Sequence, residues 1–193
     1  MVDGLVLALW RFPVAGMRGE GLRSSQIEPH GLAGDRRHHV CDPEGGVLTP
    51  HDVPRLEGWT ASYPFNPDGA VYPDRPPPFP LIAGAGGRWR WGDPRLLAAL
   101  SRDLRREVTL ERDAERPRGV ILSTVTPVDA LDAAGINLGL ELALPAGGWA
   151  GRELLFRDGV RLRLVASRAD GPGIEARVVQ AGRIVIGEPV TLS

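Results

Sequence analysis

The sequence predicts an α+β fold that is mainly β with a few helices, its strands closed wholly or partly into a β-barrel. Three observations predict it. Short apolar runs of strand length recur along the 193 residues, with Gly, Pro, Asp or Asn between them. The clearest helical spacing is confined to one segment, after Asp93-Pro94. Apolar residues make up 42% of the chain, enough for a real core, and closure is the way many short strands bury their edges.

Taken in order, residues 4–11 are apolar and run into Phe12-Pro13, which suits a strand ended by proline. Gly16, Gly19 and Gly21 mark a loop, residues 22–28 a second strand, and Pro29-His30-Gly31 a turn. Residues 35–41 read as a third strand. Alternation then places Asp35, Arg37, His39 and Cys41 on one face and Arg36, His38 and Val40 on the other. Asp42-Pro43-Glu44-Gly45-Gly46 is a hairpin turn after which Val47-Leu48-Thr49 pairs back, and residues 56–63 form another strand. The Pro-rich stretch 64–80 is extended surface chain, because proline cannot donate to a ladder.

Residues 81–83 and 88–91 are short strands about a glycine turn. The helix opens with Asp93 as cap and Pro94 in its first turn; Leu96, Leu97, Leu100 and Leu104 share a face, and Arg102, Arg105 and Arg106 lie near its C-terminus. Residues 107–111 read as a strand, and residues 120–124 are an apolar run. Thr126-Pro127-Val128-Asp129 is a capping pattern for a second helix stopped by Gly135. Strands at 136–144, 152–156, 160–166, 174–179, 183–186 and 190–192 complete the series.

Bulk chemistry removes several function classes. A net charge of -1 supplies no field toward nucleic acid or anionic lipid. The chain has no lysine, which excludes Schiff-base and Walker-type lysine chemistry. Its single cysteine cannot form an internal disulfide, so a reducing cytoplasm is expected. The run Val2 to Trp10 lacks a basic leader and a cleavage site and is read as a strand, and no apolar run approaches bilayer-spanning length. Trp89 and Trp91 alternate with Arg88 and Arg90, which reads as tryptophan inward and arginine outward; nucleic-acid binding is not expected.

Several motifs in order resemble the MOSC-domain family, the molybdenum-cofactor sulfurase C-terminal domains and the mitochondrial amidoxime-reducing component. They are Leu9-Trp10-Arg11-Phe12-Pro13-Val14, Gly31-Leu32-Ala33-Gly34-Asp35-Arg36, the 42–49 hairpin, Pro54-Arg55-Leu56, Thr126 to Leu131 with Asn137, Trp149 to Leu155, and the stretch Gly182 to Val190. The resemblance implies one MOSC-like domain over 1–193, with 1–83 similar to the family's N-terminal barrel part and 84–193 to its core. It also implies a ligand site using Arg36, a retained phosphate-contacting position, with Asn137 and Thr126.

Three departures bear on chemistry. Ala15-Gly16 stand where the family commonly has Lys-Ser. The Arg-Phe-Arg-Pro-Asn stretch survives only as Gly135-Ile136-Asn137. The reactive cysteine expected near residues 166–171 is absent, Ser167 being a poor oxygen substitute. The expected protein is therefore a divergent MOSC barrel without a cofactor. It binds a polar or anionic small molecule in the barrel cleft, with room for a metal-free biosynthetic step. Two readings stand beside it: a molybdenum cofactor sulfurtransferase or carrier working through Cys41, and a non-catalytic binding module.

The residues themselves offer fewer candidates. Asp35-Arg36 presents a guanidinium fork oriented by polar neighbours, against the plain alternative of a structural pair closing a turn. His38, placed on Arg36's face, and Asp35 are the candidates for catalytic work, no metal being expected. His51, after Pro50, could close over a pocket. Cys41 and His39 could pair, although a small buried thiol in a barrel wall explains Cys41 equally simply.

Overall fold

The structure, a computed structural model, describes residues 2–64, 79–84, 86–113, 119–124, 128–133, 135–144, 148–169 and 172–193. The first half of the described chain holds β1 (Val2–Arg11), β2 (Glu20–Leu22), β3 (Ser24–Glu28), β4 (Gly31–Leu32), β5 (His38–Cys41), β6 (Thr60–Ser62), β7 (Leu81–Gly84) and β8 (Gly87–Arg90). The helix α1 (Pro94–Leu104) follows, then β9 (Thr109–Arg112), β10 (Val120–Ser123), β11 (Leu138–Glu141), β12 (Glu153–Phe156), β13 (Arg161–Ser167), β14 (Ile174–Gln180), β15 (Gly182–Val185) and β16 (Pro189–Leu192).

Seven strands in the order β11-β10-β14-β13-β12-β16-β1 close into a mixed barrel, because β1 also pairs with β11; β2 continues from the far edge of β1. The pairing of β10 with β11 is parallel and the other barrel pairings are antiparallel. Period-2 patterning explains the closure. Along β13, Leu162 and Leu164 are buried while Arg161 and Arg163 face water. Along β1, Val6 points into the barrel core and Leu5 and Leu7 out; the register with β11 slips between Val6 and Ala8, after which Leu9 points into that core and Ala8 packs in a separate cluster with Leu131 and Ile136. Inside, Leu122, Leu138, Leu154, Leu162, Leu164, Val190 and Leu192 form one core. The barrel expected from the sequence is thus present.

A second core lies beside it. It gathers Val14, Val40, Leu48, Leu56, Trp59, Ile82, Trp91, Leu96, Leu100 and Val108. The helix contributes Leu96, Leu100 and Leu104, while Leu97 stays 37% exposed, so the apolar face is narrower than the sequence implied. Asp93 caps it, its carboxylate accepting from the Arg95 N–H at 2.9 Å, and Arg105 ends it in the left-handed region at φ 56.

Local patterns misled in several places. The strand expected over 22–28 is interrupted between β2 and β3, since β2 pairs with β1 and β3 pairs with β15. The strand expected over 56–63 begins as a 3-10 turn, Pro54–Gly58, with strand only at β6; the Pro at its first position suits a turn. The return expected after the 42–46 turn is present in short form, as an antiparallel bridge of Val47 to Cys41 and a Leu48 N–H donated to the Val40 carbonyl at 2.8 Å. The second helix is represented among the described residues by the 3-10 turn Val128–Ala130. The Pro-rich 65–78 stretch and Thr126 lie outside the described residues.

Candidate functional site

The most consequential correction falls on the strand expected over 35–41. Strand begins only at His38; residues 33–36 form a turn in which Gly34 takes φ +78 and Arg36 φ 47. A side chain at Gly34 would also collide with the Tyr63 ring, 2.9 Å from where its Cβ would stand. Strand alternation therefore does not connect Arg36 to His38.

The turn is clamped from behind. Arg11 is fully buried, ion-pairs with Glu20 at 2.6 Å and lies over the Tyr63 ring at 4.7 Å. The Tyr63 hydroxyl donates to the Gly34 carbonyl at 3.0 Å, and burial pushes that hydroxyl's pKa upward, so it remains a donor. The Arg36 N–H donates to the Phe12 carbonyl at 2.6 Å, tying the turn to the end of β1.

From this turn Asp35 points inward and Arg36 outward. Asp35 Oδ1 accepts from the Phe12 N–H at 2.8 Å and from Asn137 Nδ2 at 3.1 Å, and its Oδ2 pairs with Arg36 Nη1 at 2.5 Å. Asn137, fully buried, also donates to the Trp10 carbonyl at 3.1 Å and accepts through Oδ1 from Arg36 Nη1 at 3.0 Å and the Ile121 N–H at 3.1 Å. Arg36 Nη2 donates to the Gly135 carbonyl at 2.7 Å. The guanidinium is held by acceptors from opposite ends of the sequence, with its Cζ 5.0 Å from the centre of the Phe12 ring.

Arg36 opens onto a cavity of about 650 Å³ between the barrel and the second core. One wall comes from Gly16, Arg18, Leu48, Pro50 and His51, the other from Ile121, Asp132, Gly135, Arg168 and Glu175. Asp132 fastens the walls together: its Oδ1 accepts from the Gly19 N–H at 2.8 Å and its Oδ2 lies 3.7 Å from Arg18 Nε.

The predicted residues therefore separate. Arg36 and His51 line the cavity. Asp35 and Asn137 sit behind Arg36, 2% and 0% exposed, where they orient it. His38 lies in the second core, its ring edge-on to Trp91 at 4.9 Å and its Nδ1 facing the Pro13 carbonyl at 3.2 Å; enclosure there, not a shared strand face with Arg36, sets its surroundings. His39 is also buried on β5.

Cys41 is fully buried at the end of β5, opposite Thr109 of β9. Its thiol is pushed up to about 11 by burial and by the Glu111 carboxylate. No group of three metal-ligating side chains occurs among the described residues. The sequence reading missed Arg18, Asp132, Arg168 and Glu175 as cavity residues. Arg168 had a signal, since it stands in the 166–171 stretch where the resemblance places a site residue, although of a different type, a cysteine.

Compared with known proteins, residues 3–74 match the family model of the MOSC N-terminal beta barrel domain. Among curated proteins none matches the chain. Among solved structures, the YuaD protein from Bacillus subtilis is similar at 10% identity, over 100% of this chain and 98% of that one, with a TM-score of 0.47.

Proposed function

We propose that this protein, whose residues 3–74 match the model of the MOSC N-terminal beta barrel domain, binds a polar or anionic small molecule in the cavity beside Arg36. The observation that carries this reading is the locked guanidinium. Asp35, Asn137 and the Gly135 carbonyl hold Arg36 in one orientation at the cavity edge, so little side-chain entropy remains to be lost on binding. Asp35 and Asn137 act as positioning residues for Arg36. The cavity size is that of a small-molecule site.

The family resemblance implies a molybdenum cofactor whose metal is held by a cysteine thiolate, and the donor set here does not fit that group. The chain's one cysteine is enclosed on β5 with its thiol protonated at neutral pH. The described cavity lining offers Arg, His, Thr, Asp and Glu groups and the neutral thioether of Met17. A reaction in the cavity would draw on acid–base groups that line it, His51, Asp132 and Glu175, acting on a ligand anchored by Arg36.

The test is direct titration of purified protein with small carboxylates and phosphates, followed by calorimetry on native protein and Arg36→Gln. Binding that falls about tenfold or more in the variant supports the reading. Stoichiometric molybdenum in the purified protein, or unchanged affinity in Arg36→Gln, would overturn it.

A further inference from the structure

Gly135 takes φ +65, and the space where its side chain would stand is bordered by two guanidinium groups. A Cβ placed there would lie 3.8 Å from Arg36 Nη2 and 3.9 Å from Arg168 Nη1. Two cations from remote parts of the chain thus approach one point at the edge of the same cavity. Arg36 is delivered by the 33–36 turn. Arg168 is delivered by the loop between β13 and β14, where its N–H donates to the Gly173 carbonyl at 3.0 Å. Gly173, at φ +116, leaves room for the Arg168 stem: a Cβ there would stand 3.5 Å from Arg168 Cδ and 3.0 Å from Ile121 Cγ2.

We infer that Arg36 and Arg168 form a clip that grips the oxyanion head of the ligand, a carboxylate or a phosphate, over Gly135. This rests on the reading of the cavity given above and adds a second anchoring residue and a ligand class to it. Two guanidinium groups that border one point at the edge of the cavity offer a bound oxyanion charge-assisted contacts from two sides. Planar guanidinium groups suit both candidate heads, since each presents oxygens at the spacing of the fork. Asp132 and Glu175 on the same wall limit the rest of the ligand. They disfavour a second anionic group and accept a neutral or cationic body, so the ligand is a small molecule with one anionic end.

The experiment titrates the full-length protein with inorganic phosphate and, separately, with acetate, reading affinity by calorimetry and folding by thermal melting. Arg168→Gln and Arg36→Gln should each weaken the bound probe about tenfold. Gly135→Ala, which sets a methyl group between the two nitrogens, should abolish binding, while Arg88→Gln on the exposed face of β8 should leave it unchanged. Binding of phosphate alone or acetate alone supports the clip and identifies the head group. Native affinity in folded Arg168→Gln, with affinity lost in Arg36→Gln, overturns the clip and leaves the Arg36 reading standing. Failure of the native protein to bind either probe at tens of millimolar, or affinity equal to that of the native protein in both folded arginine variants, overturns both.

Discussion

Asn137→Ala removes a side chain that makes four hydrogen bonds, to Trp10, Asp35, Arg36 and Ile121. The consequences differ by partner. Asp35 keeps the Phe12 N–H and Arg36, and Arg36 keeps Asp35 and the Gly135 carbonyl. The Trp10 carbonyl and the Ile121 N–H lose the amide that satisfies them. Two part-buried backbone groups left without that partner, added to the lost contacts of a buried amide, put the expected loss of stability at about 3 kcal/mol. For a chain of this size that lowers the melting temperature by roughly 10 °C. Thermal melting monitored by circular dichroism measures it. A second readout separates site from scaffold: Arg36 loses one of its acceptors, so anion affinity should fall even where the variant is fully folded. A melting shift under about 2 °C would refute the claim that this amide joins the end of β1 to the turn bearing Arg36.

Other outcomes follow from the same geometry. Because Cys41 has a folded-state pKa near 11, above its ordinary 9.0, the unfolded chain ionises first as pH rises; stability is unaffected below pH 9 and is lost between about pH 9 and 11. Comparing native protein with Cys41→Ala across that window isolates this loss, and equal pH profiles would refute it. At pH 8, alkylation of Cys41 in folded protein should run at least roughly a hundredfold slower than in denatured protein, measured by mass spectrometry. Glu20→Gln leaves the buried Arg11 charge without its carboxylate and should cost about 3–5 kcal/mol in denaturant unfolding. Asp93→Ala removes the α1 cap and should cost only about 1 kcal/mol without changing anion affinity.

Elements whose apolar pattern is read by their immediate neighbours were legible. The alternation of β13, the capped start of α1 and the strands of the C-terminal half are encoded within a few residues, and those segments formed near their expected positions. The 33–36 segment was not legible, because Asp35 to Cys41 alternates like a strand while Gly34 and Arg36 take left-handed backbone that no pattern of polarity announces. Trp59 and Ala61 illustrate a half-success. Both are buried, but a 3-10 turn, not the expected strand, carries the chain up to Trp59.

The sequence alone determined that strands dominate, that a barrel closes them, and that lysine chemistry and an internal disulfide are excluded, each through residue type or spacing within one element. Arg36 stood out through the family resemblance. The tertiary structure decided which residues meet. Arg36 and Asn137 lie 101 positions apart, and only the closing of β1 against β11 brings them together. Arg168 reaches Gly135 only because β10 stands between β11 and β14. Packing also encloses His38 against Trp91 of the second core and buries Cys41 on β5. Pairing between distant strands is set by the whole set of buried contacts, and neither polarity nor spacing in one stretch of chain records it.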